Sequence, residues 1–214
     1  MKPSRTVIVS GLFVLIAAVV GLWAYPRLPA LVPTHWDLHG QPNRWTPRFW
    51  SAFLPAMLLV GIALLAALLP RIAPRQFESP SSVRVFDIAM LATQAAVLVI
   101  DLSILLGSAG HPLPVVPIAL VTLGVLFMVI GNYMGKLRRN AFIGIRTPWT
   151  LSSDVVWERT HRIGGWVVLL GGLGAVISAL AGAPHWLPIG LLVLACLAPV
   201  AYSYWIHRRL VSRD

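Results

Sequence analysis

The chain has 214 residues, 57% of them hydrophobic and only 11% charged, with a formal net charge of +10 at pH 7. A soluble domain carries about 25% charged residues, so this composition excludes an ordinary soluble fold and points to the membrane. The excess of basic residues does not require nucleic acid, because it gathers at the ends of the apolar runs.

Crossing the hydrocarbon of a bilayer takes ~20 mostly apolar residues. Six stretches qualify: 7–23, 52–69, 85–106, 115–134, 163–180 and 187–204. Lipid offers no partner to backbone groups outside a helix or a closed barrel. The expected fold is therefore all-α, one bundle of six transmembrane helices with no room for a soluble domain. The division expected along the chain is a two-helix unit at 1–70 and a four-helix unit at 71–214. The first run follows Lys2 and Arg5, as a signal peptide would. It is long for a signal core, however, and Tyr25-Pro26-Arg27 after it is no small-residue cleavage site. An uncleaved first helix is expected.

Segment 26–50 comes next. Pro26, Pro29, Pro33, Pro42 and Pro47 forbid a continued helix, and Trp36, Trp45 and Trp50 suit the headgroup region. An ordered loop on the outer surface is expected. Within it, His35 and His39 flank Asp37 four residues apart, a zinc-like spacing on a helix. Pro33 and Gly40 argue instead for a hydrogen-bonded loop turned at the glycine, and no third strong ligand stands nearby. No metal or cofactor is expected. The connection 71–82 is short, with Glu78 its one acid.

The third span carries Asp87, Gln94 and Asp101 at seven-residue intervals, near one stripe of a helix. Ionisable residues at membrane depth face partners or water. The stripe is expected to face the interior, either as a polar seam between helices or as a path for a proton or ligand. A tight uncharged turn, 107–114, joins the third and fourth spans. Gly131 and Gly135 close the fourth at a spacing suited to close packing, and Gly171, Ala175 and Ala179 give the fifth a small-residue face. Cys196, the single cysteine, reads as an apolar packing residue.

Between the fourth and fifth spans lies the densest polar stretch, GNYMGKLRRNAFIGIRTPWTLSSDVVWERTH, residues 131–161. Alternation of Phe142, Gly144 and Arg146 against Ile143 and Ile145 predicts an extended piece packed on the bundle. Thr147-Pro148 predicts a helix start. Ser152 or Ser153 can cap a second start, with Asp154 where the helix dipole favours an anion. Trp157, His161, Gly164 and Val168 then share one helical face, so the fifth helix is expected to begin before the membrane. His161 is a candidate base with Asp154 or Glu158, the latter three residues before it, as a candidate acid partner, and no nucleophile or phosphate-loop motif accompanies them. The protein is expected not to be an enzyme.

Of the 17 basic residues, all but Arg27, Arg44 and Arg48 fall on the side that holds this stretch and both termini. The bias places both termini in the cytoplasm, and the basic face suits an anionic inner leaflet.

The same stretch, continued through Arg162-Ile163-Gly164-Gly165, resembles the signature of the SdpI-like membrane proteins, named for a bacterial immunity protein. The resemblance runs from the Gly131-Asn132-Tyr133 start, through a basic turn and the Ile143-Gly144-Ile145-Arg146-Thr147-Pro148-Trp149-Thr150 core, to Thr160-His161. The outer segment, with Leu28-Pro29, His35-Trp36, Gly40 and Trp45, is similar to a domain of unknown function found at the start of such proteins. The resemblance implies a polytopic protein of the bacterial inner membrane that confers resistance to a secreted, membrane-active peptide toxin. It also implies that a cytoplasmic transcriptional repressor is recruited to the membrane. Candidate binding residues are Asn132, Lys136, Asn140, Arg146, Thr147, Trp149, Trp157 and His161, with His35 and Trp36 on the outer side. The alternatives are a transporter or exporter using Asp101 and Gln94, and a membrane enzyme using His161 and Glu158.

Overall fold

A computed structural model describes residues 5–72, 80–140 and 143–211. The expectations for the 71–82 connection, Glu78 included, and for Phe142 fall largely on residues outside these. In chain order come α1 (Arg5–Ala24), a 3-10 turn (Tyr25–Arg27), β1 (Leu31–Trp36), β2 (Pro42–Pro47), α2 (Arg48–Ile72), α3 (Pro80–Ser108), α4 (Val115–Met134), α5 (Pro148–Ser152), α6 (Asp154–Leu180) and α7 (Trp186–Val211). Six of these helices, all but α5, are long and apolar enough to cross a membrane. They correspond one for one to the six runs of the sequence. Large apolar side chains such as Leu15, Leu58, Leu170 and Leu197 stand exposed on their outer surfaces, as expected where lipid is the solvent.

Each of the six long helices packs on the next long helix in the chain, and α1 and α3 also meet. The tightest seam is α4 against α6. Glycines seven residues apart on each helix face each other as reciprocal pairs. A Cβ on Gly131 would lie 2.6 Å from the Gly165 carbonyl oxygen, and one on Gly165 would lie 2.8 Å from that of Gly131. Gly124 and Gly172 are paired in the same way. With no hydrophobic force between helices in lipid, such backbone-to-backbone approach is what holds them. The partner of Gly131 on its own helix is thus Gly124. Gly135 instead follows the helix end, exposed.

The segment after α1 differs from the expected loop: it is a β-hairpin. Leu31 pairs with Pro47, Val32 with Thr46 and His35 with Arg44, with irregularities on either side of His35. The hydroxyls of Thr34 and Thr46 lie 2.8 Å apart across the strands. A two-stranded hairpin has only edges, and edges tolerate proline, so Pro33, Pro42 and Pro47 fit. The turn forms around the Asp37 carboxylate, whose Oδ1 accepts the backbone N–H groups of His39 (2.8 Å) and Gln41 (2.9 Å). The Gln41 N–H foremost, with His39 adding to it, holds the Asp37 carboxyl below its ordinary value. Gly40 has φ +80°, a left-handed conformation that glycine takes without strain, and a Cβ there would meet the His185 ring at 2.5 Å. The hairpin turn therefore docks on the α6–α7 connection. Hairpin, α3–α4 turn and α6–α7 turn define one end of the bundle. The opposite, basic end carries the segment between α4 and α6.

Candidate functional site

The basic-end segment is held by side chains that turn inward. After α4, the Trp157 indole N–H donates to the Leu137 carbonyl at 2.9 Å. Asn140, 2% exposed, closes the next turn. Its Nδ2 donates to the carbonyls of Arg138 (2.8 Å) and Ile143 (3.2 Å), and its Oδ1 accepts the Ile143 N–H (2.9 Å). Ile143 and Ile145 pack on the buried cluster of Val85, Met134, Leu137, Trp157 and Val168. Gly144 and Arg146, alternating with them, are exposed. The alternation of burial foreseen in the sequence holds over the described residues, but the piece is not evenly extended: Ile143 and Gly144 form a bend, with Gly144 at φ +115°.

His161 is the central pin. It is 1% exposed and stacks on Trp157 at 4.0 Å between ring centroids. Its Nε2 accepts the Ile145 N–H at 2.9 Å, and its Nδ1 lies 2.8 Å from the Trp157 carbonyl. A carbonyl only accepts, so Nδ1 carries the proton and Nε2 offers its lone pair. Gly144 has φ +115°, and a Cβ there would collide with the His161 ring. The glycine between the two isoleucines is therefore required by the imidazole beneath it.

Thr147 caps α5 in a reciprocal capping box with Thr150, an arrangement that satisfies two orphan backbone donors. Thr150 is fully buried, and its hydroxyl also donates to the Ile145 carbonyl at 2.7 Å. The Trp149 indole N–H reaches Ser203 Oγ on α7 at 2.9 Å, and its ring stacks on His207. Ser153 caps α6, accepting the Val156 N–H, so α6 begins well before its apolar run, as foreseen.

Charged residues on the rim are paired. Arg138 meets Glu158 at 3.0 Å, and Arg139 meets Asp154 at 2.7 Å while donating to the Leu151 carbonyl. With Asn140, Leu151 and Trp157 they line an open cleft of about 780 Å³. Glu158 is engaged by Arg138 and both His161 nitrogens are occupied. The two residues that could have formed an acid–base pair are thus turned to different partners.

The candidate residues divide in two. Asn140, Thr147, Trp149, Trp157 and His161 are half-buried or buried and hold the segment's shape. Asn132, Lys136 and Arg146 are exposed; the Lys136 ammonium sits 4.5 Å over the Tyr133 ring, and Arg146 forms no hydrogen bond or ion pair among the described residues. Thr150 escaped the sequence reading, although the Thr147-x-x-Thr150 spacing is a capping-box signal. At the other end, His35 Nδ1 lies 2.6 Å from Asn43 Oδ1, and Trp36 joins Gly40, His185 and the α3–α4 turn in lining an open cleft of about 530 Å³. Among the described residues no cluster of three metal-ligating side chains forms. On α3, Gln94 is fully buried and its Nε2 donates to Ser10 Oγ on α1 at 3.0 Å, while Asp101 is buried on the same stripe.

Comparison with known proteins places these features. Residues 136–203 match the SdpI/YfhL protein family, and residues 12–60 match a domain of unknown function, DUF1648. The Immunity protein SdpI of Bacillus subtilis (strain 168) is 33% identical over 116 residues, covering 52% of this chain and 55% of that protein. The similarity thus spans about half the length of that curated relative. No solved structure matches the chain. This is thus a multi-pass membrane protein in which the pinned basic-end segment and the α6–α7 pair behind it match the SdpI/YfhL family, while the hairpin-bearing α1–α2 unit matches DUF1648.

Proposed function

We propose that this protein is a non-enzymatic binding protein that protects a bacterium from a membrane-active peptide toxin. The likeness to an immunity protein supports that role. The observation that carries the binding mechanism is the setting of Arg146. It is exposed, and both of its neighbours are pinned: Ile145 by His161 and Thr150, Thr147 by its cap. An arginine held this way loses little freedom when it engages a carboxylate, which is how a preorganised anchor gains affinity. The partner on this face is acidic, and a cytoplasmic transcriptional repressor is the partner we assign to it. Asn132 and Lys136 belong to the same face, while His35 and Trp36 meet the toxin on the other.

This reading puts the basic end and both termini in the cytoplasm, in line with the excess of Lys and Arg at that end. A single cysteine introduced at Arg146 in a Cys196→Ala background is expected to resist impermeant thiol reagents in intact cells and to react after lysis. One at Asn43 on the hairpin is expected to react in intact cells. The reverse pattern would invert the protein and remove the cytoplasmic partner. The role itself is tested by survival. Cells expressing the protein are expected to outgrow empty-vector cells under at least one of a panel of secreted membrane-active bacterial peptides. Equal killing by every peptide in the panel would end the immunity assignment.

A further inference from the structure

The stripe along α3 is bonded to α1 at its first two rungs, although Gln94 Oε1 keeps no donor, and its third rung has no partner among the described residues. Asp87 is hydrogen-bonded to the Thr6 side chain and Gln94 to Ser10, both on α1. Asp101 is 6% exposed, its Oδ2 is wholly buried, and it has no hydrogen-bond partner among the described residues. Buried acceptors without donors are rare, and an intramembrane carboxylate marks a place that a partner group occupies. It lies seven residues before the end of α3, about 10 Å along the axis.

Asp101 lines an open cleft of about 430 Å³ between the hairpin, α2 and α3. The walls are apolar, with Trp50, Leu54, Leu58 and Ile100 among them. Arg44 lines the cleft from the hairpin side; it is exposed and has no ion pair among the described residues. The cleft thus offers a cation at its mouth, a carboxylate further in, and an apolar wall beside both.

We propose that this cleft is a binding site for an aminophospholipid, with the phosphate against Arg44, the primary ammonium against Asp101 and an acyl chain along Leu54, Leu58 and Ile100. A zwitterionic headgroup answers both charges at once. A primary ammonium supplies N–H donors to the carboxylate; a choline, which has none, leaves Asp101 without a hydrogen bond, and a glycerol headgroup leaves it without a cation. Arginine suits phosphate through its planar fork of donors. His35, assigned above to the toxin-facing side, also lines this cleft, but the lipid site itself needs only a bilayer.

The test uses the full chain in nanodiscs of phosphatidylcholine doped with phosphatidylethanolamine or phosphatidylglycerol of identical acyl chains. Lipid that remains on the protein after mild detergent extraction is counted by mass spectrometry. Phosphatidylethanolamine is expected to be enriched about tenfold over its bilayer share, the scale of one charge-assisted hydrogen bond. Asp101→Asn should bring retained lipid back to the bilayer composition, Arg44→Gln should lower retention of all phospholipids, and Asp87→Asn should change neither. Arg44 is exposed, so its variant folds even if the Asp101 variant does not. Retention at the bilayer composition by the wild type overturns the site, as does enrichment that survives Asp101→Asn, or unchanged total retention in Arg44→Gln. Failure to enrich the lipid while a lysine-bearing apolar peptide binds in an Asp101-dependent way would replace the lipid by a peptide and equally overturn the proposal.

Discussion

Arg146→Ala is expected to abolish protection and partner recruitment in a protein that still reaches the membrane in normal amount. Arg146 is exposed and forms no hydrogen bond or ion pair among the described residues, so its loss should change stability by no more than about 0.5 kcal/mol. Interface arginines of this kind cost about 2 kcal/mol or more when truncated, roughly thirtyfold in affinity. Arg146→Lys keeps the charge and loses the fork, and should fall between the two. The measurement pairs toxin survival with quantitative immunoblotting of membranes and pull-down of the bound cytoplasmic protein. Wild-type survival in Arg146→Ala would strip the residue of its assigned role. Low protein abundance would mean that the exposed arginine supports the fold after all, contrary to its position.

The opposite separation is expected for Trp157→Ala. This indole is 1% exposed, bonds the Leu137 carbonyl, stacks on His161 and belongs to the cluster on which Ile143 and Ile145 pack. Truncating a buried tryptophan costs about 3–5 kcal/mol. The loss falls on the basic-end segment, because the α4–α6 glycine seam lies elsewhere. Trypsin should then cut at Arg138, Arg139 and Arg146 in detergent-solubilised protein many times faster than in the wild type, while α4 and α6 stay paired. Trp157→Phe retains most of the apolar contact and removes one hydrogen bond, a loss of about 1 kcal/mol. It should leave trypsin resistance largely intact. Equal resistance in the alanine variant would show that the segment is held by something other than this residue.

The six spans were legible because twenty apolar residues in a row have few other uses. The two helix starts after Thr147 and near Ser152-Ser153 were legible because capping is a local transaction between a hydroxyl and an N–H three residues on, though which serine caps was not. The hairpin was hidden. Its three strand prolines look like loop markers, and the irregularities beside His35 break the two-residue alternation by which strands are read. In the basic-end segment the shared face of Trp157 and His161 was visible, but not its direction. An aromatic on a helical face has the same spacing whether it lines a groove or plugs a core. The pairing of Arg138 with Glu158 and of Arg139 with Asp154 joins residues 20 and 15 positions apart. Only the fold brings them together, which is why the two acids looked from the sequence like partners for His161.

The bonds from His161 and Thr150 to Ile145 leave the arginine loop without an articulation of its own. His161 stands on the same rod, α6, whose glycines mesh with α4 at Gly165 and Gly172. A twist of that rod is expected to carry position 146 and its guanidinium along, as a key turns with its shaft.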